Sequence, residues 1–132
     1  MAKKIESSKK KRLSALVVDD SRVCRMIHDA YLTRNDFETY TVENGREAVD
    51  LIRSGEQFDV IFMDLVMPVM NGFEATRELR AMGVTTMIVG IDCPIDLRDD
   101  PIQAGVDRVY EKPLTEEIII SVRQALQSNY NI

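Results

Sequence analysis

At 132 residues, 45% of them hydrophobic, the chain has the apolar material for one compact domain and leaves no room for a second. No apolar run approaches the roughly 18 residues of a membrane span, and the opening MAKKIESSKKKR lacks the apolar stretch of a secretory signal, so an intracellular protein with no membrane partner is expected. The formal net charge is −5, but Lys3, Lys4, Lys9, Lys10, Lys11 and Arg12 against Glu6 make residues 1–12 carry +5 and leave −10 for the body, which excludes a nucleic-acid-binding face outside that leader.

Residues 1–12 read as a disordered basic tail, either a solvated leader or a signal for nuclear import of an otherwise cytoplasmic protein, and residues 13–132 as the folded domain. From there, short β-branched apolar runs alternate with segments of helical period. The reading in chain order is strand 14–18, helix 21–34, strand 37–42, helix 44–54, strand 59–63, helix 72–82, strand 86–91, a short helix at 99–104, strand 107–111 and helix 115–128. Asp20 or Ser21, Asn44, Asn71 and Thr115 stand where side-chain oxygens can cap the four longer helices. Right-handed crossovers over five βα units give an α/β fold: a doubly wound parallel sheet of order 2-1-3-4-5, helices on both faces, and a shortened fourth helix. Cys24 and Cys93 have no metal-ligand spacing and read as reduced packing thiols.

Asp19 and Asp20 close the first apolar run (LSALVVDDS), Asp64 closes the third (DVIFMD) and Lys112 the fifth (RVYEK). Parallel, adjacent strands bring these residues to one carboxyl edge, where open α/β sheets bind their ligands. Taken singly, each has a plain structural role available as helix cap, turn former or solvated cation. Taken together, three converging carboxylates ask for a small hard cation, Mg²⁺ or Ca²⁺. The lysine opposite suits an anion, and with no serine or cysteine nucleophile in the set, Asp64 itself is the candidate phosphoryl acceptor.

The segments LVVDDS, ENGREAV, FMDLVMPVMNG and EKPLT, spanning about 13–128, resemble the receiver domains of two-component response regulators, the CheY-like family, and most of all the short stand-alone receivers of plants. The resemblance implies that Asp64 is phosphorylated and that Asp20 and Asp64 ligate Mg²⁺ directly, with Asp19 acting through water and the Val66 carbonyl completing the protein ligands. It implies that Lys112 pairs with the phosphoryl oxygens and that Pro113 is cis. It also implies that the donor is a histidine-containing phosphotransfer protein docking near Cys24, Ile27 and Pro113. The lone histidine, His28, lies inside the first helix and reads as a surface or packing residue.

Two positions and the segment between them depart from that family pattern. Asp92 stands where receivers carry Thr or Ser at the end of the fourth strand, and an ionised carboxylate there adds charge and donates no hydrogen bond. Pairing of Asp92 with Lys112, a contribution to cation binding and a turn-capping role are the alternatives for it. The aromatic switch position is Val109, with Tyr110 on the opposite strand face, and CPIDLRDDPIQAG leaves little length for a regular helix. The first helix, in contrast, carries two apolar stripes, Val23, Met26, Ile27, Ala30 and Cys24, Ile27, Tyr31, wider than one sheet contact requires. The chain ends soon after its last helix, so the expectation is a monomeric receiver without an output domain, accepting phosphate on Asp64 and acting as a drain; a pseudo-receiver that binds partners without stable phosphorylation is the alternative.

Overall fold

The computed structural model describes residues 12–92 and 100–130. The Lys-rich stretch 1–11, Cys93 and Pro94 lie outside the described residues. Ten elements follow in chain order: β1 (Leu13–Val18), α1 (Arg22–Arg34), β2 (Phe37–Val42), α2 (Gly45–Arg53), β3 (Val60–Asp64), α3 (Gly72–Ala81), β4 (Met87–Ile91), α4 (Pro101–Ala104), β5 (Arg108–Tyr110) and α5 (Glu116–Tyr130). The strands form one parallel sheet in the order β2-β1-β3-β4-β5.

Alternation along the strands divides the core. Leu16, Val18, Ile61, Met63 and Ile88 point to one face and are covered by Ala48 and Val49 of α2 and Phe73, Ala75 and Leu79 of α3. Ala15, Val17, Val60, Phe62 and Val89 point to the other, under Leu32 of α1 and Ile119, Val122 and Leu126 of α5. Every residue of β3 is buried, as expected of a central parallel strand closed off on both faces.

The helix starts follow the capping residues. Ser21 rather than Asp20 caps α1, accepting from the Cys24 amide, and Asn44 caps α2 by accepting from Glu47. Asn71 and Glu74 form a reciprocal capping box at α3. Thr115 accepts from the Ile118 amide at the head of α5, which runs two residues further than the sequence reading placed it. Asp100 caps the four-residue α4, and Gly105, at φ 111°, ends it in the left-handed region that favours glycine. The third strand starts one residue later than expected; Asp59, just before it, accepts hydrogen bonds from the Ser14 amide (2.7 Å) and hydroxyl (3.3 Å), and its own amide donates to the Ser14 carbonyl (2.9 Å).

Register sets the functional edge. Val18 opposite Met63 puts the next residues, Asp19 and Asp64, side by side across the β1–β3 switch point. Ile91 lies opposite Asp64 on one side and Tyr110 on the other, so Asp92 and the Glu111–Lys112 turn arrive at the same edge. Gly72, at the start of α3, has no room for a side chain: a Cβ there would lie 2.4 Å from the Asp64 carbonyl oxygen and 2.8 Å from the Leu65 Cα. The bare backbone lets α3 begin directly against the end of β3.

Candidate functional site

Carboxylate oxygens of Asp19, Asp20 and Asp64 lie within 4.8 Å of one another. Asp19 and Asp64 are each only 1% exposed, whereas Asp20 faces solvent. Lys112 reaches in from the loop after β5, its ammonium 2.9 Å from Asp64 Oδ2 and 3.0 Å from Asp19 Oδ2. The Lys112–Pro113 peptide bond is cis, as the resemblance implied.

Backbone donors aim the two buried acids. The Ser21 amide donates to Asp19 Oδ1 at 2.9 Å, and the Val66 amide donates to Asp64 Oδ1 at 3.0 Å. Arg25, one turn into α1, donates through Nη1 to the Asp19 carbonyl at 2.8 Å and so ties the helix to the acid-bearing turn. Asp19 Oδ2, although the ammonium is near, accepts no well-aligned hydrogen bond. A buried carboxylate oxygen with a vacant lone pair, beside two further carboxylates, fits oxygen-only ligation of a hard cation.

Burial pushes the Asp64 carboxyl above its ordinary range, and the Asp19 charge adds to that; the Val66 amide and Lys112 pull the other way. For Lys112, partial burial disfavours the charge, but hydrogen bonds to Asp64 and Asp19 outweigh it and raise its pKa, so it stays an ammonium at neutral pH. Three carboxylates against one ammonium leave the pocket in need of further positive charge.

Asp92 arrives at the edge but does not join the cluster. Its amide donates to the Tyr110 carbonyl at 2.8 Å, its backbone is left-handed at φ 66°, and it is solvent-exposed. Among the described residues the Lys112 ammonium pairs with Asp19 and Asp64 and not with Asp92. Tyr110 packs against the core on the α1–α5 side, while its neighbour Val109 is 37% exposed, so the tyrosine does not take the place of the missing aromatic.

On α1, the buried face consists of His28 and Leu32, with Cys24 and Tyr31 half-buried beside them. Val23 and Met26 are more than three-fifths exposed and Ile27 37%, which assigns the extra apolar width to solvent and not to a deeper core. His28 is fully buried and its Nε2 accepts from the Leu114 amide at 3.3 Å. Burial lowers its pKa, and Asp19 and Lys112 act on it in opposite directions. Sequence reasoning missed the Arg25 and His28 contacts; the six-residue step from Asp19 to Arg25 along a capped helix is the one signal that could have pointed to the first.

The family model for the response regulator receiver domain matches residues 15–124. Two-component response regulator 24 of Arabidopsis thaliana is 38% identical over 128 residues, which cover 96% of this chain and 92% of that relative. The chemotaxis protein CheY4 of Vibrio cholerae has a similar structure, with a TM-score of 0.77 at 28% identity over 88% of this chain and 99% of that one. A chain from the co-crystal of the Saccharomyces cerevisiae histidine phosphotransfer protein Ypd1 with the receiver domain of its downstream response regulator Ssk1 has a TM-score of 0.73 at 23% identity, covering 83% of this chain and 84% of that chain. With the acid cluster and its lysine at the carboxyl edge of a 2-1-3-4-5 sheet, the chain belongs to the response regulator receiver family and is similar to the plant response regulators of two-component signalling.

Proposed function

We propose that this receiver accepts a phosphoryl group on Asp64 from a phosphohistidine of a histidine-containing phosphotransfer protein, and that it works as a phosphate drain in a phosphorelay. The observation that supports this most is the buried Asp64 carboxylate held 2.9 Å from the Lys112 ammonium and beside Asp19 and Asp20. An Asp64 oxygen attacks the phosphorus in line, the P–N bond to the donor imidazole breaks, and an acyl phosphate forms. Lys112 neutralises charge on the equatorial oxygens, and the Val66 amide fixes the carboxylate rotamer. Asp20, Asp64 and the Val66 carbonyl would hold Mg²⁺ directly, with Asp19 acting through water, and the ion would supply charge stabilisation at the phosphoryl oxygens. Hydrolysis returns Asp64 to its carboxylate and makes the net reaction that of a phosphohistidine phosphatase.

The donor docks on α1 at Cys24 and Ile27 and beside Pro113. Support comes from the exposed apolar residues Val23, Met26 and Ile27, and from the Ssk1 receiver having been crystallised with a phosphotransfer protein. A monomer suffices for this chemistry, and it suits the cytoplasm or the nucleus. Among the described residues no helix is long and apolar enough to cross a membrane.

Incubation with a phosphorylated phosphotransfer partner tests the proposal: with Mg²⁺, free phosphate accumulates faster than stable phosphoprotein, and Asp64→Asn stops it. Phosphate left on the donor by the wild-type chain would reject it. A second reading, a pseudo-receiver that docks partners without being phosphorylated, is favoured by Asp92 on its left-handed backbone where a hydroxyl is expected. Beryllofluoride binding that needs both Mg²⁺ and Asp64 would eliminate that reading.

A further inference from the structure

We propose that His28 is a positioning residue for Lys112, holding through the Leu114 amide the loop whose ammonium pairs with the phosphoryl oxygens. The inference rests on the reading of Lys112 and Asp64 given above. Leu114 lies in the loop between β5 and α5, two residues after Lys112, where its amide has no strand or helix partner. Its acceptor is the imidazole Nε2 of His28, 86 positions earlier in the chain and 0% exposed. The Lys112–Leu114 stretch of that loop is therefore pinned at both ends. Lys112 is held by Asp19 and Asp64 on one side of cis-Pro113, and Leu114 by His28 on the other.

Accepting through Nε2 requires the neutral tautomer that carries its proton on Nδ1. That nitrogen is buried without a hydrogen-bond partner, so the imidazole leaves one polar group unsatisfied to satisfy the Leu114 amide. An apolar side chain of the same bulk would fill the space and leave the loop amide free. His28 is also the inward-facing neighbour of Ile27 and lies less than two turns from Met26 and Val23, all exposed.

Two substitutions in the full chain separate positioning from packing. His28→Phe keeps a planar aromatic ring and removes the acceptor, whereas His28→Gln retains an acceptor in its amide oxygen. In saturating Mg²⁺, beryllofluoride affinity should fall about tenfold in His28→Phe and recover to within about threefold of wild type in His28→Gln, with Mg²⁺ affinity changed by less than about twofold in both. Equal losses in the two variants, or none in His28→Phe, would overturn the inference while leaving the reading of Asp64 intact. Failure of the wild-type chain itself to bind beryllofluoride would overturn that reading and this inference with it. Nitrogen NMR of the unsubstituted protein gives a check independent of any variant's folding: the Nδ1–H tautomer is expected, and an Nε2–H tautomer would refute the contact.

Discussion

Asp64 sits where its charge is costly, since burial raises its pKa against the help of the Val66 amide and Lys112. A carboxyl whose folded pKa exceeds its unfolded value favours folding below the unfolded value and loses that contribution as pH rises through the folded one. Replacing it by a neutral isostere should therefore stabilise the protein at neutral pH. Asp64→Asn is expected to gain about 1 kcal/mol in denaturant unfolding at pH 7. The gain should vanish as pH falls below the ordinary aspartate value of 3.8. A gain that persists in acid would show that the charge is not its source. At Asp92, exchange to Thr restores a hydroxyl donor and removes a negative charge, and the phosphorylated state should live about threefold longer or more, as measured by loss of label. The same exchange puts a β-branched residue at φ 66° and should cost about 1 kcal/mol of stability, which Asp92→Asn avoids. An unchanged lifetime would count against the role given to Asp92. The acids and the lysine were legible because each stands at the end of an apolar strand run or within two residues of it. The direction of Asp92 was not, because it depends on a left-handed backbone that neighbouring residue types do not reveal. The partner of His28 was hidden for another reason: its acceptor role is set by a loop 86 residues away.

Among the elements, α1 carries both the site's support and its exposed surface. Arg25 and Ser21 hold the Asp19 turn, His28 holds the Lys112 loop, and Val23, Met26 and Ile27 face solvent. Ile27→Asp should weaken binding of a phosphotransfer protein about tenfold or more in calorimetry while Mg²⁺ affinity stays within about twofold of wild type. Unaltered partner binding would move the docking surface elsewhere. The element boundaries were readable because caps and periodicity agree: Ser21, Asn44, Asn71 and Thr115 each precede a helical run and each accepts from its first turn. Which stripe of α1 is buried was not readable. Its inward face spends a core position on a histidine, so apolar content alone misassigns the faces.

For the molecule as a whole, the parallel order β2-β1-β3-β4-β5 followed from five alternating units and a chain of this length. The same order explains the site, because acids from β1 and β3 meet only at the switch point between them. Ion binding to the folded state alone should raise stability by about 2.7 kcal/mol when Mg²⁺ is 100-fold above its dissociation constant. Thermal unfolding with and without the ion checks this, and the shift should disappear when Asp20 and Asp64 are both changed to Asn; an equal shift in that double variant would place the ion elsewhere. The most direct measurement is chemical trapping of the phosphorylated residue. After transfer from a phosphorylated donor, borohydride reduction converts an acyl phosphate to an alcohol, and mass spectrometry of the digested protein should find homoserine at position 64. Homoserine at another aspartate, or a donor that keeps its phosphate in the presence of Mg²⁺ and the wild-type chain, would contradict the account.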